Sequence, residues 1–304
     1  MKKILSISLG SSKRDHEVRT YILNEKFIIK RIGTDGDKKK AYKLFTKLDG
    51  KYDAFGLGGI DLYIHTARNR YVFRDARKLI KNVEKTPVVD GSGLKDTLER
   101  KVLFYLNNSQ TENYFSGKKV LMVSAVDRLG MAETFKELGA DLVIGDLVFG
   151  IGVPLVLRSF RSLELVARII APVITKLPFE LIYPTGEKQE YNNNSNKFAK
   201  LYHRADIIAG DFHFINKYLP QNLPGKIIIT NTVTEKNIKK LKNRNVKKII
   251  TTTPNFCGRS FGTNVMEAVL VSLMNKPLDE LKPEDYFEML EKINFTPGII
   301  DLNS

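Results

Sequence analysis

Two pairs of side chains in this sequence have the types and spacing of acid–base machinery. Asp211 and His213 stand two residues apart in Gly210-Asp211-Phe212-His213-Phe214. Histidine titrates near neutrality and a carboxylate can orient it, so alternate residues after a strand could face one cleft and move a proton. The competing reading is a capping aspartate beside a histidine packed among phenylalanines. Lys95 and Asp96 follow the turn Asp90-Gly91-Ser92-Gly93. A glycine turn entering a helix presents free backbone N–H groups that suit an anion, and a partly desolvated lysine can give or take a proton. Here the alternative is a capped helix with both charges in solvent. Ser11, Ser12, Lys13 and Arg14 follow Gly10. Together with Arg259 these hydroxyls and cations could hold a substrate carboxylate.

A third group points toward a nucleotide. Ser124-Ala125-Val126-Asp127-Arg128 follows an apolar strand, and Asp146 lies 22 residues after Ser124. In a dinucleotide-binding unit an acid at that distance grips a ribose diol. The usual Gly-x-Gly-x-x-Gly is replaced by a run with only Gly130. Val126 would crowd a pyrophosphate and Asp127 would repel it; Arg128 compensates in charge but not in shape. The candidate cofactor residues are therefore Ser124, Asp127, Arg128, Asp146, Asn231 and Thr232, for NAD or NADP in one reading and for another ligand, or none, in the other. Gly56-Leu57-Gly58-Gly59 implies a close backbone approach, by a ligand or by another stretch of chain.

Positioning these residues requires strand–helix alternation. Residues 4–9, 18–23 and 27–32 read as strands, the last two a hairpin around Asn24-Glu25. A helix to Leu48, a short strand at 53–57, a helix at 74–83 and an extended 87–89 follow. A helix over 94–107 leads to a polar stretch at 108–117. From Lys118 the pattern is strand (119–124), helix (130–138, closed by Gly139), strand (140–146), a long helical region to Lys176, a loop at 192–196, and strands at 207–209, 227–230 and 248–252. Such alternation argues a parallel sheet with its ligand at the carboxyl ends of the strands. The helices 263–274 and 283–293 close the chain, the last folding back onto the first domain. The fold class is α/β: an N-terminal mixed α/β domain, residues 1–115, followed by a Rossmann-like parallel-sheet domain, residues 116–304.

Composition narrows the partners. The chain has 304 residues, 42% hydrophobic and 27% charged, as in ordinary globular proteins. The only cysteine is Cys257, which excludes an intrachain disulfide and fits a reducing, cytoplasmic setting. It has no adjacent base to make it a nucleophile. The four histidines are far apart and form no ligand pair, so no metal is expected. The net charge of +15 invites nucleic acid, but the lysines spread over helix faces and no nucleic-acid motif accompanies them. A small anionic metabolite is the expected partner. Residues 147–157 are apolar but about half the ~20 residues of a membrane span. With Leu155, Phe160, Leu163, Val166 and Ile170 at helical spacing, the region reads as a buried or interface helix that allows a homodimer. A membrane-surface helix is the lesser alternative.

The runs 8–15, 123–128 and 210–214 resemble a group of bacterial proteins labelled quinate 5-dehydrogenase, and the likeness covers nearly the whole chain. More distantly the chain is similar to the quinate/shikimate dehydrogenases. That resemblance implies an N-terminal substrate domain, a C-terminal Rossmann domain, and oxidation of a ring hydroxyl by NAD or NADP beside a lysine and an aspartate. Lys95 and Asp96 would stand for that pair. The Asn-Thr-Asp and Thr-x-Pro-x-Lys segments of those dehydrogenases are absent here. The competing functions are an enzyme of another class, such as a transferase or lyase, and a non-catalytic nucleotide- or metabolite-binding protein.

Overall fold

The computed structural model describes residues 1–65, 70–109, 113–178, 197–253, 255–256 and 259–302. The chain divides into two compact units. Unit 1 comprises Met1–Thr97, Ile170–Gln189 and Asn255–Phe295; unit 2 comprises Leu98–Ile169, Glu190–Pro254 and Thr296–Ser304. The sequence reading places one boundary after residue 115, whereas the chain passes between the units several times.

In unit 1 the elements are β1 (Lys2–Ser8), β2 (His16–Ile22), β3 (Glu25–Gly33), α1 (Lys38–Leu48), β4 (Ala54–Gly58), the short pair β5 (Tyr63–His65) and β6 (Arg70–Val72), α2 (Arg74–Ile80) and β7 (Val88–Val89). The sheet order is β2-β3-β1-β4-β7, parallel except for β2. β1 is central, and Ile4, Leu5 and Ile7 have no exposure, the continuous apolar run of a strand covered on both faces. The hairpin turns on Leu23 and Asn24, both at positive φ (50° and 63°), one residue earlier than the sequence suggests. Two consecutive left-handed residues match the strand twist that a two-residue hairpin requires.

Helix α3 (Ser92–Ser109) begins in unit 1 and ends in unit 2. Next come β8 (Lys119–Met122), α4 (Leu129–Glu137), β9 (Asp141–Ile144), α5 (Asp146–Ile151), α6 (Phe160–Ile174), α7 (Ala199–Arg204), β10 (Ile207–Ala209), α8 (Phe212–Lys217), β11 (Ile227–Thr230), α9 (Glu235–Lys242) and β12 (Lys248–Thr251). After the small hairpin β13 (Asn255–Phe256) and β14 (Arg259–Ser260), α10 (Thr263–Met274) and α11 (Pro283–Lys292) belong to unit 1. Apart from Glu267, α10 carries no charge, and it packs on β1, β4 and β7. This is the folding back expected of the closing helices, and it begins one helix earlier. The last strand, β15 (Gly298–Asp301), runs antiparallel along β12 and closes the unit 2 sheet, whose order is β15-β12-β11-β10-β8-β9.

The five strands from β8 to β12 are parallel, and in sequence order they lie second-first-third-fourth-fifth. The chain winds one way from β8 to β9 and the other way from β10 onward. The crevice between the carboxyl ends of β8 and β10 is therefore the topological switch point of an open α/β sheet, where such sheets bind ligands. Leu121, Val123, Phe149, Tyr202, Ile208, Ile228 and Ile249 form the core beneath it.

Candidate functional site

Unit 2 carries a polar network at this switch point. Asp211, after β10, is the N-cap of α8; its carboxylate accepts the His213 backbone N–H at 2.8 Å. The same carboxylate accepts the Asn231 amide at 2.8 Å and pairs with Arg128 at 3.4 Å. Ser124, after β8, accepts the Asp211 N–H at 3.2 Å. Gly210 makes this approach feasible: its φ is +131°, and a Cβ there would sit 2.6 Å from Val123 Cγ2. After β11, Asn231 accepts the Thr230 hydroxyl at 3.1 Å through its side chain and the Thr253 hydroxyl at 2.9 Å through its carbonyl. Four of the expected residues, Ser124, Arg128, Asp211 and Asn231, are thus joined in one network. Asp127 joins it through Arg128, and His213 and Thr232 lie beside it in the chain; all three are half-buried.

Arg128 is the centre of charge. Its side chain is 1% exposed and pairs with Glu99, also 1% exposed, with Asp211, and with Asp127 at 3.7 Å. One guanidinium thus meets three carboxylates. Arg128 Nε, Glu99 Oε2 and, past the end of β12, Thr252 Oγ1 are buried without a hydrogen-bond partner. Buried polar atoms are nearly always partnered, so such orphans mark a place for water or ligand. Glu99 was not among the sequence candidates. Its signal is its place beside Leu98, Val102 and Leu103 on the buried face of α3, where a bare charge needs a partner.

Asp146 does something other than wait for a ribose. Its carboxylate accepts the backbone N–H groups of Ala125 at 2.9 Å and Val126 at 2.8 Å. Those are loop donors that a dinucleotide's pyrophosphate would use after the first strand. Burial pushes the Asp146 carboxyl up to about 6, against the opposing pull of the two N–H groups. The residues therefore do not fit a dinucleotide held in the usual Rossmann manner.

In unit 1 the turn before α3 is also filled from within. Asp90 accepts the Leu62 N–H at 2.5 Å and the Ser92 N–H and hydroxyl at 3.0 and 2.6 Å. The Gly91 N–H, at φ +97°, donates to Glu267 at 2.6 Å, and the Tyr286 hydroxyl donates to the same carboxyl at 2.9 Å. The place of the anion expected at this helix start is taken by the carboxyl of Glu267 in α10, pushed up to about 8 by burial and then by the charge of Asp90. Lys95 is buried as a proton-transfer group should be, but its partner is Asp61, at 3.1 Å; Asp96 is exposed. The single acid in the apolar α10 was the readable sign of Glu267, whereas nothing local marks Asp61 or Tyr286.

The loop after β1 is likewise largely self-satisfied. Ser11 caps a 3₁₀ turn by accepting the Lys13 N–H at 3.2 Å, and the Ser12 N–H donates to Asp35 at 2.7 Å. Arg31 donates to the Ser11 carbonyl at 3.0 Å and to Asp15 at 2.8 Å. Lys13 is exposed and Arg14 half-buried. The glycines of β4 face the chain itself: a Cβ on Gly56 would lie 3.0 Å from Asn264, which donates to Ser6 at 3.0 Å. The Arg259 side chain, Cys257 and the loop at 192–196 lie outside the described residues. Among the described residues no three His, Cys, Asp or Glu side chains are grouped to hold a metal ion. No described helix is long and apolar enough to cross a membrane.

A comparison with curated proteins finds no match. Solved structures similar to this chain include a galactofuranose binding protein, 12% identical over 97% of this chain and 99% of that one, with a TM-score of 0.37. A periplasmic ribose ABC transporter protein from Conexibacter woesei is 8% identical over 99% and 92%, with a TM-score of 0.39. The L-tryptophan dehydrogenase of Nostoc punctiforme is 13% identical over 88% and 67%, with a TM-score of 0.35. Residues 3–90 match the profile described as Domain of unknown function (DUF8753). Residues 93–302 match the one described as Domain of unknown function (DUF8754), and the chain belongs to that family.

Proposed function

We propose that this chain binds a small, donor-bearing metabolite, such as a polyhydroxylated compound, at the β8–β10 switch point of unit 2. The observation that carries this reading is the Arg128 cluster: Glu99, Asp127 and Asp211 around one guanidinium, with Arg128 Nε and Glu99 Oε2 making no hydrogen bond. A surplus of carboxylates attracts hydroxyl and ammonium donors and repels phosphate. Asn231, Thr232 and His213 supply the half-buried rim. The expectation of an anionic ligand therefore gives way here to a neutral or cationic one. The engagement of Asp146 with the loop after β8 argues in the same direction, against NAD or NADP as a resident cofactor.

A second reading is favoured by one observation in unit 1. Lys95 is 8% exposed and paired with Asp61, an enclosed lysine–carboxylate arrangement of the kind used in acid–base chemistry. With a hydroxylated substrate beside it, this pair would serve an enzyme such as a lyase or transferase, with quinate and shikimate as the first substrates to try.

Thermal stability against a ligand panel tests both. A ligand at a hundred times its dissociation constant adds about 2.7 kcal/mol. We expect a shift with a polyhydroxylated compound, lost in Asn231→Ala, and none with NAD, NADH, NADP or NADPH at millimolar levels. A comparable shift with any of the four dinucleotides would overturn the proposal. Turnover of quinate or shikimate that Lys95→Met abolishes would favour the second reading.

A further inference from the structure

We infer that the bare side of α6 docks on an anionic lipid surface. One side of this helix is buried through Leu163, Ala167 and Ala171. On the other, Leu165, Ile169 and Val173 are 59%, 66% and 60% exposed. Spaced by four, they form a single apolar line along the helix. Ile151, Val153 and Leu155, which precede the helix, are exposed as well. An exposed apolar line along one helix side marks an interaction surface rather than ordinary surface scatter.

Charge selects the occupant. Between residues 151 and 177 the cations are Arg158, Arg161, Arg168 and Lys176, all exposed, and Glu164 is the only acid. The whole chain carries +15. A second copy seated on the same face would set this basic segment against itself. Anionic headgroups instead attract every one of these cations. Arginine and lysine can lie with their stems along the apolar stripe and their charged ends at the level of the phosphates. At 15 residues, α6 is too short to span a bilayer and suits lying in its interface. The burial expected from the sequence is found on one side of α6, through Leu163, Ala167 and Ala171.

Flotation of the full-length protein with vesicles tests this. We expect the protein to float with phosphatidylglycerol–phosphatidylcholine vesicles and to stay behind with phosphatidylcholine alone. The bound fraction should fall about tenfold in Leu165→Asp/Ile169→Asp, which removes the buried apolar area. It should also fall in Arg161→Gln/Arg168→Gln and in high salt, as screened surface attraction requires. All four positions are surface positions, so unchanged melting temperatures confirm that the variants are folded. Absence of flotation with the anionic vesicles would overturn the inference. So would undiminished flotation of Leu165→Asp/Ile169→Asp. A dimer in light scattering that Ile169→Asp makes monomeric, with no vesicle binding, would assign the face to a second copy instead.

Discussion

Replacing Glu267 by glutamine should remove a pH dependence built into unit 1. The Glu267 carboxyl is raised from 4.5 to about 8, first by burial and then by Asp90. At ~1.4 kcal/mol for each tenfold change in proton affinity, that displacement corresponds to about 5 kcal/mol. The sign follows from which state holds the proton more tightly, and here it is the folded one. The stabilising contribution is complete below pH 4.5, where both states are protonated. It is lost as pH rises toward 8, because the unfolded chain ionises freely while the folded chain either keeps its proton or buries a charge. Glutamine is neutral throughout. Its carbonyl can accept the Gly91 N–H, and its amide can turn toward the Tyr286 oxygen. Glu267→Gln should therefore gain on the native protein as pH rises from 5 to 9. At ~2–4 °C per kcal/mol the difference in melting temperature grows by on the order of 10 °C. Circular-dichroism melts of the two proteins across this range provide the readout. Parallel melting curves at every pH would refute the assignment of a buried, proton-retaining carboxyl to Glu267.

Three further substitutions probe the switch point of unit 2. Arg128→Met leaves Glu99 and Asp211 buried without their cation and should destabilise by about 3–5 kcal/mol, read from the urea midpoint; adding Glu99→Leu should restore part of that loss. Gly210→Ala places a methyl group against Val123 and Ser124 at a left-handed backbone position, and should cost about 3 kcal/mol in the same assay; a neutral outcome would mean that the β8 and β10 ends separate more easily than the structure implies.

Much of the architecture was legible because local and global signals agree. The apolar runs at Ile4, Val120, Ile208, Ile228 and Ile249 are all central strands, and Thr263–Met274 is a helix with the expected ends. What escaped detection depends on partners distant in sequence. β15, only Gly298–Asp301, forms by pairing along β12, and its residues alternate between exposed and half-buried with no strong periodicity. β7, by contrast, falls within the extended 87–89, and it is completed by pairing with β4. The site divides the same way. Asp211, Ser124, Arg128 and Asn231 could be found from their places after strands, since topology brings strand ends together. Asp61, 34 residues from Lys95, and Glu267, 176 from Gly91, could not be paired from sequence. The glycines of β4 were correctly read as marking a close approach, and Asn264 is what approaches.

Asp146 and Glu267 share one arrangement in two separate places. Each is a buried carboxyl with its proton affinity raised; after a parallel strand, Asp146 accepts two backbone N–H groups of the loop and Glu267 accepts one. In nucleotide-binding proteins of this architecture those donors face a phosphate. Here the chain provides its own acceptor, and a bound phosphate would have to displace that carboxyl. Removing the acceptor should reverse this preference. Asp146→Ala frees the Ala125 and Val126 N–H groups, and leaving them without a partner should cost about 1–3 kcal/mol of stability. It also takes one negative charge from the loop. The variant should therefore be stabilised by inorganic phosphate or a dinucleotide at concentrations where the native protein does not respond. If Asp146→Ala is destabilised as expected yet indifferent to both anions, Val126 and Asp127 are by themselves enough to exclude a phosphate, and the loop after β8 is a structural turn.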